Sequence, residues 1–143
     1  MIIRRFKAGD LSLIKLQDAQ AYFSGEVASP DYAATLEHSG QAFTGVHGGE
    51  VVCVAGCANV WEGRALAWAF VSPAAGACMV TLHRAVAGFL AQAQYRRIEA
   101  IVDDGFEAGH RWMRLLGFRL ETPDGMPGYL PDGRKTFLYA RVR

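Results

Sequence analysis

Residues 97–120, RIEAIVDDGFEAGHRWMRLLGFRL, decide how the rest of the chain is read. Ile98, Ala100 and Val102 alternate with Glu99, Ile101 and Asp103, the period of two that a strand requires. From Phe106 the apolar spacing changes to three and four, through Gly109, Trp112, Met113 and Leu116, which is the period of a helix. Gly117 stands just past the last periodic residue, where glycine supplies the left-handed conformation that closes a helix, and Phe118 begins a further strand. The stretch is predicted to be strand, helix, strand, with Asp103 and Asp104 at the first crossing point.

Toward the N-terminus, Cys78 to Tyr95 keeps Met79, Leu82, Val86, Phe89, Leu90 and Ala93 on one helical face, with Thr81, His83, Arg84 and Gln92 elsewhere. A helix of about eighteen residues is long enough for the crossover that parallel strands need, so Arg64–Val71 and Ile98–Val102 are expected to lie parallel and adjacent. Gln41–His47 and Glu50–Val60 flank Gly48-Gly49, which tolerates the positive φ of a tight hairpin turn, and Trp61-Glu62-Gly63 makes a second turn. The middle of the chain is therefore a β-meander. Ile2–Phe6 reads as a first strand, Asp10 as the cap of a helix running to about Tyr22, and Ser29-Pro30 as the start of a second helix ending near Gly40. Beyond Phe118 come the loop TPDGMPGYLPDGRK and a final alternating strand, Thr136–Arg141.

The chain has 143 residues, 51% hydrophobic and 20% charged, which suits one compact domain covering residues 1–143. A net charge of +1 gives no source for the attraction that drives nucleic-acid binding, so no nucleic-acid partner is expected. The N-terminus MIIRRFKAGD has no long apolar core, and no window is expected to approach the roughly 20 apolar residues of a membrane span. A soluble, cytoplasmic protein is the expectation. Cys53, Cys57 and Cys78 cannot all pair, and their spacing is not that of a zinc site, so buried free thiols and no metal are expected.

The order β-α-α-β-β-β-α-β-α-β-β, entered at its C-terminal half through Leu115-Leu116-Gly117-Phe118, resembles the GNAT superfamily of N-acetyltransferases. The resemblance implies an α/β (α+β) fold: a central mixed, mostly antiparallel sheet with helices on both faces. YRRIEAIVDD, GHRWMRLLGF and YLPDGRKTFLYARV are similar to the acetyltransferase-like subset of phages and prophages, over roughly residues 64–142. That likeness leaves a virion-associated location open beside a cytoplasmic one.

In the superfamily the fourth strand ends in Val-x-Pro, and a Gln/Arg-x-x-Gly-x-Gly/Ala loop opens the main helix. Its glycines let backbone N–H groups approach the diphosphate of acetyl-CoA, and the helix start adds about half a positive charge. Here the segment is Val71-Ser72-Pro73-Ala74-Ala75-Gly76-Ala77-Cys78. Val71, Pro73 and Gly76 fit, whereas Pro73 falls at the Gln/Arg position and Cys78 at the second small one. The resemblance implies acetyl-CoA as co-substrate, held by Phe70, Val71, Gly76, Ala77 and Cys78. It also implies that the fourth and fifth strands splay, exposing backbone groups around Ala69–Val71 to the amide-rich pantetheine arm.

Acetyl transfer needs an uncharged amine and a proton source for the departing thiolate. The tyrosine that many relatives place four residues before the glycine of Leu-Gly-Phe is Met113 here, and the asparagine seven residues earlier is Phe106. Asp103 is the candidate base and Tyr129, in the loop before the last strand, the candidate acid. Asp104 and Glu62 read as exposed carboxylates, His110 as the surface partner of Arg114, and Tyr139 as a packing residue. The tryptophans Trp61, Trp68 and Trp112 read as core or rim packing, with each indole N–H satisfied at an edge. Two functions follow: an acyl-CoA-dependent N-acetyltransferase acting on an amine of a protein or small molecule, or a catalytically degenerate, phage-type structural or interaction protein. A homodimer is left open.

Overall fold

The computed structural model describes residues Met1–Arg143. Its elements in order are β1 (Ile2–Arg5), 3-10 turns at Ala8–Leu13 and Asp18–Phe23, α1 (Ser24–Val27), α2 (Pro30–His38), β2 (Ala42–His47), β3 (Glu50–Trp61) and β4 (Arg64–Val71). A 3-10 turn, Pro73–Cys78, leads into α3 (Met79–Gln92), and then come β5 (Arg97–Asp103), α4 (Glu107–Leu115), β6 (Arg119–Leu120) and β7 (Thr136–Val142). The strands form one seven-stranded sheet in the order β1-β2-β3-β4-β5-β7-β6, mostly antiparallel, with β4 and β5 parallel. The mixed α+β architecture and the meander through β2, β3 and β4 are those expected from the sequence.

The chain divides into two compact units, residues 1–59 with 67–92, and residues 60–66 with 93–143. In the first, Phe6, Leu11, Ile14, Val27, Ala33, Leu36, Ala42, Val54 and Phe70 form the core. Trp68 stands edge-on to Phe6, with ring centroids 5.6 Å apart. The indole N–H of Trp68 is buried without a partner, which corrects the expectation of a satisfied edge position. Gly48 and Gly49 carry φ of 58° and 80°, so the β2–β3 turn needs left-handed backbone twice in succession, and only glycine adopts it at little cost.

Two expectations in this unit fail. No single helix runs from Asp10 to Tyr22; two 3-10 turns stand there, separated by extended backbone at Ile14 and Gln17. Asp10 caps that first turn from its third position rather than from the N-cap, its carboxylate accepting the Lys7 N–H and two further donors. Arg4 donates to both oxygens at 2.7 Å, the Thr44 hydroxyl donates at 2.7 Å and the Lys7 N–H at 2.9 Å. The second concerns length: Pro73–Gln92 is one helical run of 20 residues that is long and apolar enough to cross a bilayer by length and composition. Alanines raise its apolarity while carrying little side-chain area to bury, and Leu82 and Leu90 are buried in protein.

In the second unit β5 pairs with β4 in parallel, Arg64–Leu66 against Arg97–Glu99, and with β7 along its whole length. The helix end read from Leu116-Gly117-Phe118 is a complete Schellman closure. Phe118 N–H donates to the Met113 carbonyl at 3.0 Å and Gly117 N–H to that of Arg114 at 3.1 Å, with Gly117 at φ 85°. Leu116 and Phe118 on either side are buried. Glu99 is buried as well, against the alternation that would turn it to solvent. Arg64 and Arg97 neutralise it, each with Nε at 2.7 Å from Oε1, and hold its carboxyl below the usual range.

Candidate functional site

In the first unit the residues expected to face a cofactor lie on β4 and the turn after it. Ser72 N–H donates to the Val52 carbonyl of β3 at 2.8 Å. The N–H and C=O of one strand residue share an edge and alternate from residue to residue, so Ala69 and Val71 present theirs to the edge away from β3. The register with β5 runs over Arg64–Leu66 only, and no strand pairs with that farther edge at Ala69 and Val71. The side chain of Gln20 does. Its Nε2 donates to the Ala69 carbonyl at 2.7 Å, and its Oε1 accepts the Val71 N–H at 3.1 Å. One carboxamide thus makes the donor–acceptor pair that a neighbouring strand would make.

Phe70 between them is 3% exposed, with its ring edge-on to Phe23 at 5.4 Å, so its side chain belongs to the core and only its backbone is available to a ligand. At the turn, the Ser72 hydroxyl accepts the Ala74 N–H at 3.2 Å and its carbonyl accepts the Ala75 N–H at 3.0 Å. Two donors of the helix start are therefore already used. A Cβ built on Gly76 would meet nothing within 4 Å, so no close approach requires glycine there. Gly76 and Ala77 are exposed, while Cys78 is buried and offers only main-chain atoms. The edge of β4 fits an amide-bearing arm, and the exposed helix start at Gly76 and Ala77 fits an anion through its dipole rather than through a glycine cradle.

In the second unit, Asp103 ends β5 and is 8% exposed; Asp104 beside it is exposed. Tyr129 lies in the loop before β7 and is 50% exposed. Glu62 is exposed in its turn. His110 is not a surface residue and does not serve Arg114. It is 9% exposed on α4, with Nδ1 2.7 Å from the Tyr139 hydroxyl and Nε2 3.0 Å from the Asp103 carbonyl. A carbonyl can only accept, so Nε2 carries the proton; with an uncharged ring, Nδ1 then accepts from Tyr139, which is 1% exposed. The pair ties the first turn of α4 to the end of β5, and so fixes the backbone from which the Asp103 carboxylate projects.

The three cysteines are free and buried. Burial pushes the Cys53 thiol up to about 12 and that of Cys57 up to about 11, which removes both as nucleophiles near neutral pH.

Gln20, Glu99 and the His110–Tyr139 pair were not singled out as functional groups by sequence reasoning. His110 falls seven residues after Asp103 and Tyr139 alternates inward on β7, but only the strand pairing brings them together. Gln20 gives no local signal of its place on β4, since its partners there lie 49 and 51 residues away.

No known protein family and no curated protein matches the chain by sequence. Solved structures do match by fold. The ribosomal-protein-S5-alanine acetyltransferase of Vibrio fischeri superposes with a TM-score of 0.68 at 17% identity, over 98% of this chain and 91% of that one. An aminoglycoside 6′-acetyltransferase type Ii gives 0.73 at 15% identity, over 99% and 97%. A GNAT-family acetyltransferase of Bacillus anthracis gives 0.67 at 13%, over 98% and 93%. The fold is that of the GNAT N-acetyltransferases.

Proposed function

We propose that the chain is an acyl-CoA-dependent N-acetyltransferase that moves an acetyl group from acetyl-CoA to an amine of a protein or small molecule. The observation that carries the reading is the edge of β4, where Ala69 and Val71 hold a carboxamide by one accepted and one donated hydrogen bond. An edge that binds one amide can bind another, and the pantetheine arm is rich in secondary amides. Its backbone at Phe70 and Val71, with Gly76, Ala77 and Cys78 at the helix start, would hold the cofactor. When bound, acetyl-CoA supplies the acetyl thioester. The fold neighbours support an amine as acceptor, since their names place the acetyl group on ribosomal-protein alanine or on an aminoglycoside.

Asp103 is the proposed base. Its burial favours proton transfer through water, and the His110 clamp keeps its backbone fixed. Tyr129, half-exposed in the loop before β7, is the proposed proton donor, because Met113 cannot donate. Calorimetric titration with acetyl-CoA tests the reading, and absence of binding by the unmodified protein at millimolar concentration would remove it. With an acceptor in hand, Asp103→Asn is expected to lower turnover more than about a hundredfold and Tyr129→Phe by less. A second reading rests on Ser72 and Gln20, whose bonds use groups that a cofactor would need. Under it the chain keeps the fold as a phage-type structural or interaction protein and binds no CoA.

A further inference from the structure

The segment that carries Gln20 is lightly held. Asp18–Phe23 is a 3-10 turn with no buried residue, and such turns have poorer hydrogen-bond geometry than an α-helix. Among its attachments to β4 are the Gln20 carboxamide and the edge-on contact of Phe23 with Phe70. Gln17, which precedes the turn, donates from Nε2 to the same Gln20 Oε1 at 3.1 Å, so that oxygen accepts twice and the carboxamide is fixed in orientation. Its N–H meets a carbonyl and its oxygen meets an N–H, two residues apart on one strand edge. This is the pattern by which an extended chain adds to a sheet.

We propose that Gln20 is a displaceable, built-in occupant of the β4 edge, and that it sets the affinity of this edge for an extended ligand carrying two successive secondary amides. The N–H of one ligand amide takes over the Ala69 carbonyl and the C=O of the next takes over the Val71 N–H, while the freed Gln20 carboxamide goes to water. Hydrogen bonds lost and gained balance in number, so the exchange is nearly neutral in these bonds and the occupant acts as a competitor. The inference rests on the acetyl-transfer reading for the identity of that ligand, the pantetheine arm of acetyl-CoA.

Removing the competitor should strengthen binding. Gln20→Ala is expected to bind acetyl-CoA and pantetheine about tenfold more tightly than the unmodified protein, the effect of about two modest hydrogen bonds no longer displaced. Binding of 3′-phosphoadenosine diphosphate, which lacks the amides, should stay the same. Gln20→Glu keeps an acceptor for Val71 but sets an oxygen against the Ala69 carbonyl, so it should also bind more tightly than the unmodified protein. In the unmodified protein, the Gln20 side-chain amide signals in the NMR spectrum should move to solvent positions when pantetheine is added. Equal or weaker binding by both variants, or Gln20 signals that do not move, overturns the occupant while leaving acetyl transfer intact. Tighter binding of the nucleotide alone overturns it too. Binding by the variants only supports the occupant and removes acetyl transfer from the unmodified chain. No binding of acetyl-CoA or pantetheine by any of the three proteins overturns both.

Discussion

The chain turns twice from a parallel strand into a helix, after β4 and after β5, and closes the two turns by different means. After β4 the closure is local: Ser72 caps with its own hydroxyl and Pro73 has no N–H to satisfy. After β5 no side chain caps. Phe106 stands at the cap position, and the Asp103 carbonyl receives both its N–H at 3.2 Å and His110 Nε2 from one turn along. A Ser-Pro pair before small residues announces the first closure in the sequence. The second depends on β7 delivering Tyr139, and nothing local announces it. The difference extends to packing, because Gly76 faces open space whereas a Cβ on Gly109 would stand 2.7 Å from the Phe106 ring and 3.0 Å from Val102.

The largest expected effect lies at the far end of α4. Leu116 is 7% exposed, and Leu116→Ala should destabilise by about 2–5 kcal/mol through lost transfer energy plus a cavity. Arg114→Ala, exposed on the same helix, should stay within about 0.5 kcal/mol. Equal losses in chemical denaturation would mean that α4 presents a different face to the core than the one described.

Acid titration separates the units next. The Arg4 guanidinium, with the Lys7 N–H and the Thr44 hydroxyl, holds the Asp10 carboxyl at about 2, against an ordinary 3.8. A depressed carboxylate stabilises the fold above its unfolded value, and that contribution is lost as pH falls through the folded value. Asp10 should thus contribute about 1–2 kcal/mol near neutrality, solvent screening at Arg4 allowed for, and lose it between pH 4 and pH 2. Asp10→Asn should flatten the acid limb of a stability–pH curve over that window. An unchanged limb would assign acid unfolding to Glu99 and Glu121, whose carboxyls are also lowered by neighbouring arginines.

The two glycines give the sharpest contrast, since the same substitution should change sign. Gly109→Ala crowds the Phe106 ring and should cost about 1–3 kcal/mol. Gly76→Ala meets no neighbour and needs no left-handed backbone, so it should stabilise by about 0.4–1 kcal/mol through the unfolded chain. Thermal melts of both variants decide it, and a loss at Gly76 would show that the turn after β4 is more closely packed than described.

What could be read from the sequence follows the same division. Strand and helix periods, the glycine pair at Gly48-Gly49, the Ser29-Pro30 start and the Leu116-Gly117-Phe118 stop are short-range features, and each stands where its pattern places it. The helix expected from Asp10 to Tyr22 failed because Asp10 answers to Arg4 and Thr44, the latter 34 residues away. Candidate site residues divide likewise. Asp103 could be placed at a strand end by spacing, but the His110 clamp could not, because its partner Tyr139 lies 29 residues off on another strand. Gln20 is the extreme case: a partly buried amide whose role exists only because a strand edge is left without a neighbour.

Glu99 bears on how the sheet assembles. The parallel register between β4 and β5 covers three residues on each strand, Arg64↔Arg97, Ala65↔Ile98 and Leu66↔Glu99, a short ladder with little power to choose among alignments. Sliding β4 by one residue would turn the Arg64 side chain to the opposite face and leave Glu99, at 6% exposed, with Arg97 alone, which is itself shared with Glu121. A half-neutralised carboxylate in that position is costly. The charge therefore favours the observed alignment, because only this register gives Glu99 both of its arginines.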